Sequence, residues 1–267
     1  MTNALQTLLH PFESGILELP MDARVFFQGA PGDLRLPARF PRGVVAVQGF
    51  RPDWLALKAR GVEVRTEPGE GGFDAALVLC TRFRAANETS IATALRSVRA
   101  GGLIAVAGGK QDGAASLRKR IGPILPVDGH ASKHHGVVFW LRRPEEAAAE
   151  RAAQALDHPP QRVEGGFVTG AGMFSADGID PASRMLAEHL PVGMKGDVAD
   201  FCAGWGYLAA QLAAGQSLRS LDLYEADYAS LEAARQNLPA AACPIGFHWH
   251  DLATEPVAKR YDVIVMN

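Results

Sequence analysis

Short apolar runs, broken by glycine, proline and charged residues, recur along the first half of this chain. Runs at 24–29, 43–48, 62–66 and 73–80 read as strands, and helical spacing fills 52–60 and 87–99. After Gly101-Gly102 come a strand over 103–107, a helix over 114–121 and a closing strand over 136–141. Strands alternating with helices at this spacing predict a largely parallel, doubly wound sheet. Residues 144–156 open with proline, carry acids in the first turn and continue in alanine before Asp157-His-Pro-Pro160, which predicts a helical connector. The second half repeats the pattern. A glycine-rich hairpin signal over 162–172 leads to a helix over 181–190, then strands over 197–201, 220–224, 245–250 and 261–266, with helices over 207–214 and 228–237. The fold class is therefore α/β, two tandem Rossmann-like domains covering 1–157 and 158–267, although no sequence repeat is visible between them. The last run reads as a central buried strand with nothing after it to cover its outer edge, so the second domain is expected to be truncated at its fourth strand.

Composition narrows the class. With 267 residues and 48% hydrophobic content, the chain is too apolar to be disordered and long enough for two cores. No apolar run approaches the roughly 18 residues of a membrane span, and no basic segment precedes an apolar one at the N-terminus, so no signal peptide is read. Cys80, Cys202 and Cys243 are odd in number and lack a Cys-x-x-Cys spacing, which argues against a disulfide scaffold and a zinc knuckle. The expectation is a reduced, cytoplasmic, monomeric protein without a metal. The net charge of −2 hides an asymmetry: residues 1–157 sum to +4 and residues 158–267 to −6. Within 82–143 there are 11 basic residues and 3 acidic ones, either a solvated face or a surface for a polyanion.

The segment Asp200-Phe-Cys-Ala-Gly204-Trp-Gly206 joins an apolar strand to a helix. Glycines there let a ligand approach the backbone, and the helix N-terminus offers free N–H groups. Alone, this is also what an ordinary strand–helix turn looks like. Glu225 ends the next strand, 19 residues after Gly206, where a carboxylate can accept both hydroxyls of a ribose. Asp251 ends the strand after that, where it can accept from an adenine amino group. Glu225 can equally be an acid at a helix start beside Asp227, and Asp251 an Asx turn. Asp200 argues against a pyrophosphate, which it would repel, and for a cationic ligand such as S-adenosylmethionine, with its sulfonium and ammonium.

At these residues the chain resembles the class I S-adenosylmethionine methyltransferases, specifically the RsmC-type ribosomal RNA guanine-N2 methyltransferase family. The most specific parts are Met173-Phe-Ser-Ala-Asp-Gly-Ile-Asp180, the loop from Asp200 to Gly206 and Tyr261-Asp-Val-Ile-Val-Met-Asn267. The resemblance implies that the first domain is a degenerate copy of the methyltransferase fold, used for substrate recognition. It implies that Asp200, Cys202, Ala203, Gly204 and Gly206 hold the methionine part of the cofactor. Glu225 with Ala226 would take the ribose, Asp251 with Leu252 the adenine, and Phe174 and Asp180 would close over it. Asn267 would receive the target amino group, a base unstacked to reach it. One departure stands out: Cys202 occupies the family's first loop glycine, a substitution tolerated if its φ is negative.

The basic stretch then acquires a purpose. Arg82, Arg84, Arg118, Lys119, Arg120, Lys133, Arg142 and Arg143 are the candidate contacts to ribosomal RNA phosphates, with Arg82 and Arg84 on one side if that segment is extended. The expected partner is ribosomal RNA or a ribosomal subunit, with no membrane. The competing readings are another amino acceptor (a large-subunit guanine, a DNA adenine or a protein glutamine) and a noncatalytic RNA-binding or ribosome-assembly protein.

Overall fold

The computed structural model describes residues 3–215, 217–238 and 243–267. Contacts divide it into two compact units, residues 1–48 with 53–158 and residues 49–52 with 159–267. In the first unit the elements run α1 (Asn3–Glu13), β1 (Arg24–Gln28), β2 (Gly43–Val47), α2 (Arg51–Ala59), β3 (Glu63–Arg65), β4 (Phe73–Leu79), α3 (Arg84–Ser97), β5 (Val98–Gly109), α4 (Ala114–Ile121), β6 (Gly129–Lys133), β7 (Gly136–Arg142) and α5 (Glu146–Leu156). They build one seven-stranded sheet in the order β3-β2-β1-β4-β5-β7-β6, parallel except for the pairings of β7 with β5 and with β6.

The two faces of this sheet explain the near-continuous apolar runs, because a parallel sheet is covered on both sides. Along β4, Phe73, Ala76 and Val78 join one core with Ile91 and Leu95 of α3 and Leu117 of α4. Ala75 and Leu77 of the same strand join the other core, with Leu5, Leu8 and Leu9 of α1 and Leu57 of α2. Two elements were not anticipated. Helix α1 shows its apolar residues at i, i+3 and i+4, and Pro11 falls within it. Strand β6 (Gly129-His-Ala-Ser-Lys133) is an edge strand with no wholly buried residue, so it carries no apolar alternation to read.

In the second unit the order is β8 (Gln161–Arg162), β9 (Val168–Thr169), α6 (Pro181–Glu188), β10 (Lys195–Phe201), α7 (Tyr207–Gly215), β11 (Ser217–Glu225), α8 (Tyr228–Asn237), β12 (Ile245–Trp249) and β13 (Val263–Met266). The hairpin β8–β9 stands apart from a parallel sheet ordered β12-β11-β10-β13. The core holds Val198, Leu212, Leu221, Leu223, Leu231 and Val265. Among the described residues β13 lies at the sheet edge rather than its centre. Only Val265 is buried, whereas Ile264 and Met266 are 54% and 62% exposed, so alternation replaces the expected burial on both faces.

Strand for strand, β3-β2-β1-β4 repeats the order β12-β11-β10-β13. In each run the strand that comes first in the chain, β1 or β10, lies between the second and the fourth, β2 and β4 or β11 and β13.

Candidate functional site

Strand β10 delivers Asp200 to the turn that opens α7. Asp200 is 1% exposed; its Oδ2 accepts the Ala209 N–H at 3.0 Å, while its Oδ1 is buried without a hydrogen-bond partner. Burial pushes this carboxyl up to about 7, the Ala209 N–H opposing the shift and the Glu225 charge adding to it. An unpaired carboxylate oxygen in such a place is costly unless something cationic meets it.

The turn itself is held in left-handed backbone. Cys202 (φ 58°), Gly204 (φ 55°) and Gly206 (φ 86°) all have positive φ. The condition for tolerating a side chain at residue 202 is therefore not met, and the cysteine sits where this backbone favours glycine. Its thiol is kept protonated, chiefly by partial burial and then by the Glu225 and Asp200 charges, so it is a poor nucleophile. Left-handed backbone costs a β-carbon about 1–2 kcal/mol, partly offset by the greater entropy glycine loses on folding. Cys202→Gly is expected to stabilise the second unit by up to about 1 kcal/mol, read as a higher urea midpoint; an unchanged or lower midpoint would refute strain at this position.

Glu225 ends β11 and ties the turn to the next helix. Its Oε2 accepts from Gly204 N–H at 2.7 Å and its Oε1 from Asp227 N–H at 2.8 Å. Burial raises its pKa, with those two N–H groups pulling the other way. Asp227 in turn caps α8 by accepting from Ser230 N–H at 2.8 Å. Asp251 lies two residues beyond β12 and is 6% exposed. Its Oδ1 accepts from Ala253 N–H at 2.9 Å, and its Oδ2 accepts from the Thr254 hydroxyl. Asp251 thus forms the Asx turn while each of its oxygens keeps a further lone pair for another donor, and Ala226 and Leu252 adjoin these two carboxylates in sequence.

Asn267 follows β13, whose Met266 pairs with Phe201, so the strand register sets Asn267 beside Cys202. Its Nδ2 donates to Asp180 Oδ2 at 3.0 Å and to Ser183 Oγ at 2.7 Å. A carboxylate can only accept, so Asp180 determines which end of the amide faces it and leaves Oδ1 for another donor. Asp180 also caps α6, accepting from Ser183 N–H at 2.8 Å. A narrow cleft of about 40 Å³ is lined by Phe174, Asp180, Cys202, Ala203, Gly204 and Asn267, together with Ser175, Ser183, Trp205, Tyr207 and Leu208. Asp200, Gly206, Glu225, Ala226, Asp251 and Leu252 do not line it. Phe174 is 64% exposed, and its carbonyl accepts the Trp205 indole N–H at 3.0 Å. Trp205 and Ser183 were not anticipated: Trp205 falls between the two loop glycines, and Ser183 has no motif to mark it.

The profile of the methyltransferase small domain family matches residues 164–267. Ribosomal RNA small subunit methyltransferase C of Idiomarina loihiensis is 30% identical over 178 residues, which cover 64% of this chain and 53% of the relative. The Shewanella halifaxensis protein of the same name is 25% identical over 75% of this chain and 59% of its own. A solved T. thermophilus 16S rRNA N2 G1207 methyltransferase (RsmC), in complex with AdoMet and guanosine, superposes with a TM-score of 0.75 at 25% identity, covering 99% of this chain and 73% of that one. Residues 164–267 thus match the methyltransferase small domain family, and the chain is similar to RsmC-type methyltransferases. It spans little more than half the length of these two curated relatives. Both units have Rossmann-like topology, and the second carries Asp200 and Glu225 at the ends of β10 and β11. In the first unit the last register pair, Gln28 with Val47, corresponds to Phe201 with Tyr224. Phe27 and Gln48 then stand in the places of Asp200 and Glu225.

The eight candidate basic residues do not form one surface. Arg143 is 5% exposed, its guanidinium donating to the Leu95 and Pro144 carbonyls and to Glu146, so it is a structural arginine that ties α3 to the start of α5 rather than a phosphate contact. Residues 82–84 are not a strand, because α3 already begins at Arg84. Arg118, Lys119 and Arg120 fall successively around the last turn of α4, and Arg118 is half-buried with a shielded, unpartnered Nε. Lys133 ends β6 and Arg142 ends β7, both exposed. Arg82, Arg84 and Arg120 do come together, around one cavity.

Proposed function

We propose that this chain binds S-adenosylmethionine at the ends of β10 and β11 and transfers its methyl group to the exocyclic N2 of a guanine in small-subunit ribosomal RNA. The observation that carries the reading is the placing of two side chains at the ends of adjacent strands: a buried carboxylate with one oxygen unpaired, and an amide turned by Asp180. S-adenosylmethionine supplies, when bound, a methyl group already activated on a positively charged sulfur. The residues present fit that ligand, since Asp200 offers uncompensated negative charge behind a loop whose Gly204 leaves open space where a β-carbon would stand. Glu225 would turn from Gly204 and Asp227 N–H groups towards ribose hydroxyls, and Asp251 would accept from the adenine amine. Asn267 Oδ1 would accept an N–H of the guanine amine and aim its lone pair, which is otherwise delocalised into the ring. This is catalysis by position and electrostatics, with no metal and no covalent enzyme intermediate.

The same reading makes residues 1–157 a degenerate recognition domain and 158–267 the cofactor domain, and places the protein in the cytoplasm with the ribosome. Incubation with methyl-labelled S-adenosylmethionine and small-subunit RNA, followed by nucleoside analysis, should show label in N2-methylguanosine. Asn267→Ala should lower the rate about 100-fold while leaving cofactor affinity within a factor of two. Label in another nucleoside would overturn the acceptor, and no cofactor binding would overturn the reaction.

A further inference from the structure

The first unit carries no acid at the two corresponding strand ends, where Phe27 and Gln48 stand, and Gln48 Nε2 donates to the Ala30 carbonyl at 2.8 Å. A cationic cofactor has nothing to meet there. The neighbouring edge is differently equipped. The segment after β4, the counterpart of the segment that begins at Asn267 after β13, carries Arg82, Phe83 and Arg84. With the turn after β5 and the first turns of α4, it encloses a cavity of about 360 Å³ lined by Arg82, Arg84, Gly113, Ser116, Leu117 and Arg120.

This cavity has a rigid frame. Asn87 is 4% exposed; its Oδ1 accepts the Thr81 N–H at 2.7 Å, and its Nδ2 donates to the carbonyls of Thr81 (2.8 Å) and Asp112 (3.3 Å). One buried amide thus staples the two strand-end loops together. Asp112 Oδ2 accepts the Gly109 N–H at 2.7 Å and closes the second loop on itself. Glu88, 1% exposed, lies within 2.5 Å of Arg120 Nε, 4.0 Å of Arg84 Nε and 2.6 Å of His158 Nε2. Three guanidinium groups therefore face two carboxylates, both already engaged, and positive charge is left over. Fork-shaped donors at a helix start select a phosphate.

The volume exceeds what a bare phosphate fills, and Leu117 supplies a buried apolar wall. Beside it Phe83 is 37% exposed, with the Arg82 guanidinium 4.8 Å from its ring centroid. Cations interleaved with an exposed aromatic are how single-stranded nucleic acid is gripped without base reading. An extended acidic peptide would use the charge but not the chamber.

We propose that this cavity holds one nucleotide of the single-stranded RNA segment that carries the target, its phosphate on Arg82 and Arg84 and its nucleoside against Leu117. The proposal rests on the RNA reading above and assigns the former acceptor edge of the degenerate unit a binding role. The test uses the 267-residue chain and a fluorescein-labelled single-stranded RNA 12-mer, followed by anisotropy between 50 and 300 mM salt. Arg82→Gln/Arg84→Gln should weaken binding about tenfold and flatten the log–log salt slope by about 0.7, the contribution of one neutralised phosphate on a single strand. Ser116→Phe, which fills the cavity without changing charge, should weaken binding about fivefold with the slope retained. Arg35→Gln/Arg60→Gln, on the same unit but off the cavity, should do neither. Full affinity in Ser116→Phe, an equal loss in the Arg35/Arg60 control, or equal binding of polyglutamate would overturn the nucleotide cavity. S-adenosylmethionine titrated into the arginine variant should bind as in the unaltered chain. If that cofactor binds neither protein while the RNA results stand, the methyl-transfer reading falls and this one survives.

Discussion

Asp200→Asn is expected to stabilise the second unit at pH 8 by about 2–4 kcal/mol while weakening S-adenosylmethionine binding by more than tenfold. Burial holds the Asp200 carboxyl at about 7, against roughly 3.9 in an unfolded chain. Between those values the folded protein keeps a proton that the unfolded chain has released. Stability from this group is therefore intact below about pH 4, falls as the pH rises, and is lowest above pH 7. The amide removes the penalty and can still accept the Ala209 N–H, so the gain at pH 4.5 should shrink to under about 1 kcal/mol. Urea titrations at the two pH values decide it, and an equal gain at both would show that Asp200 is not the titrating group. The same charge should govern ligand affinity. A cationic ligand needs the carboxylate form, so the unaltered protein should lose about tenfold in affinity per pH unit below 7, and Asp200→Asn should lose that dependence. Stability given up at a binding site in this way is a common trade in enzymes.

The second large effect separates two glycines of one turn. At Gly206 (φ 86°) an added β-carbon would stand 2.8 Å from Leu238 Cδ1, 3.0 Å from Ala234 Cβ and 3.3 Å from Ala234 Cα, against the face of α8. Gly206→Ala thus combines left-handed strain with overpacking and is expected to cost about 2–4 kcal/mol, seen as a lower denaturation midpoint with or without cofactor. At Gly204 (φ 55°) nothing lies within 4 Å of such a carbon. Gly204→Ala should therefore cost no more than about 1–2 kcal/mol of backbone strain, and its main effect should be lost cofactor affinity, because the open space is where the ligand is proposed to lie. Equal destabilisation by both variants would refute the distinction between a packing glycine and an access glycine.

Much of the strand–helix order was readable because buried parallel strands are short apolar runs and their helices have a 3.6-residue period. Helix α4 (Ala114–Ile121) and helix α8 (Tyr228–Asn237) start and stop where the pattern places them. Strand β6 was not readable, since an edge strand that buries little needs no apolar signature. Arg143 was misread for a related reason: a basic residue looks the same in sequence whether it meets water or the carbonyls of a helix end, as here with Leu95. For Asp251, sequence allowed two local solutions, and only the folded loop shows its carboxylate closed on Ala253 and Thr254.

Local chemistry alone determined the parallel architecture, the glycine turn after Asp200 and the acid at the end of the next strand, because each depends on residues close together in the chain. Tertiary structure decided everything that depends on what approaches from afar. It left one oxygen of Asp200 without a partner, set Cys202 in left-handed backbone, and brought Asp180 across 87 residues to orient Asn267. It also gathered three arginines of a dispersed basic stretch around a single cavity while burying a fourth. Burial and hydrogen-bond partnership are long-range properties, and no window of sequence contains them.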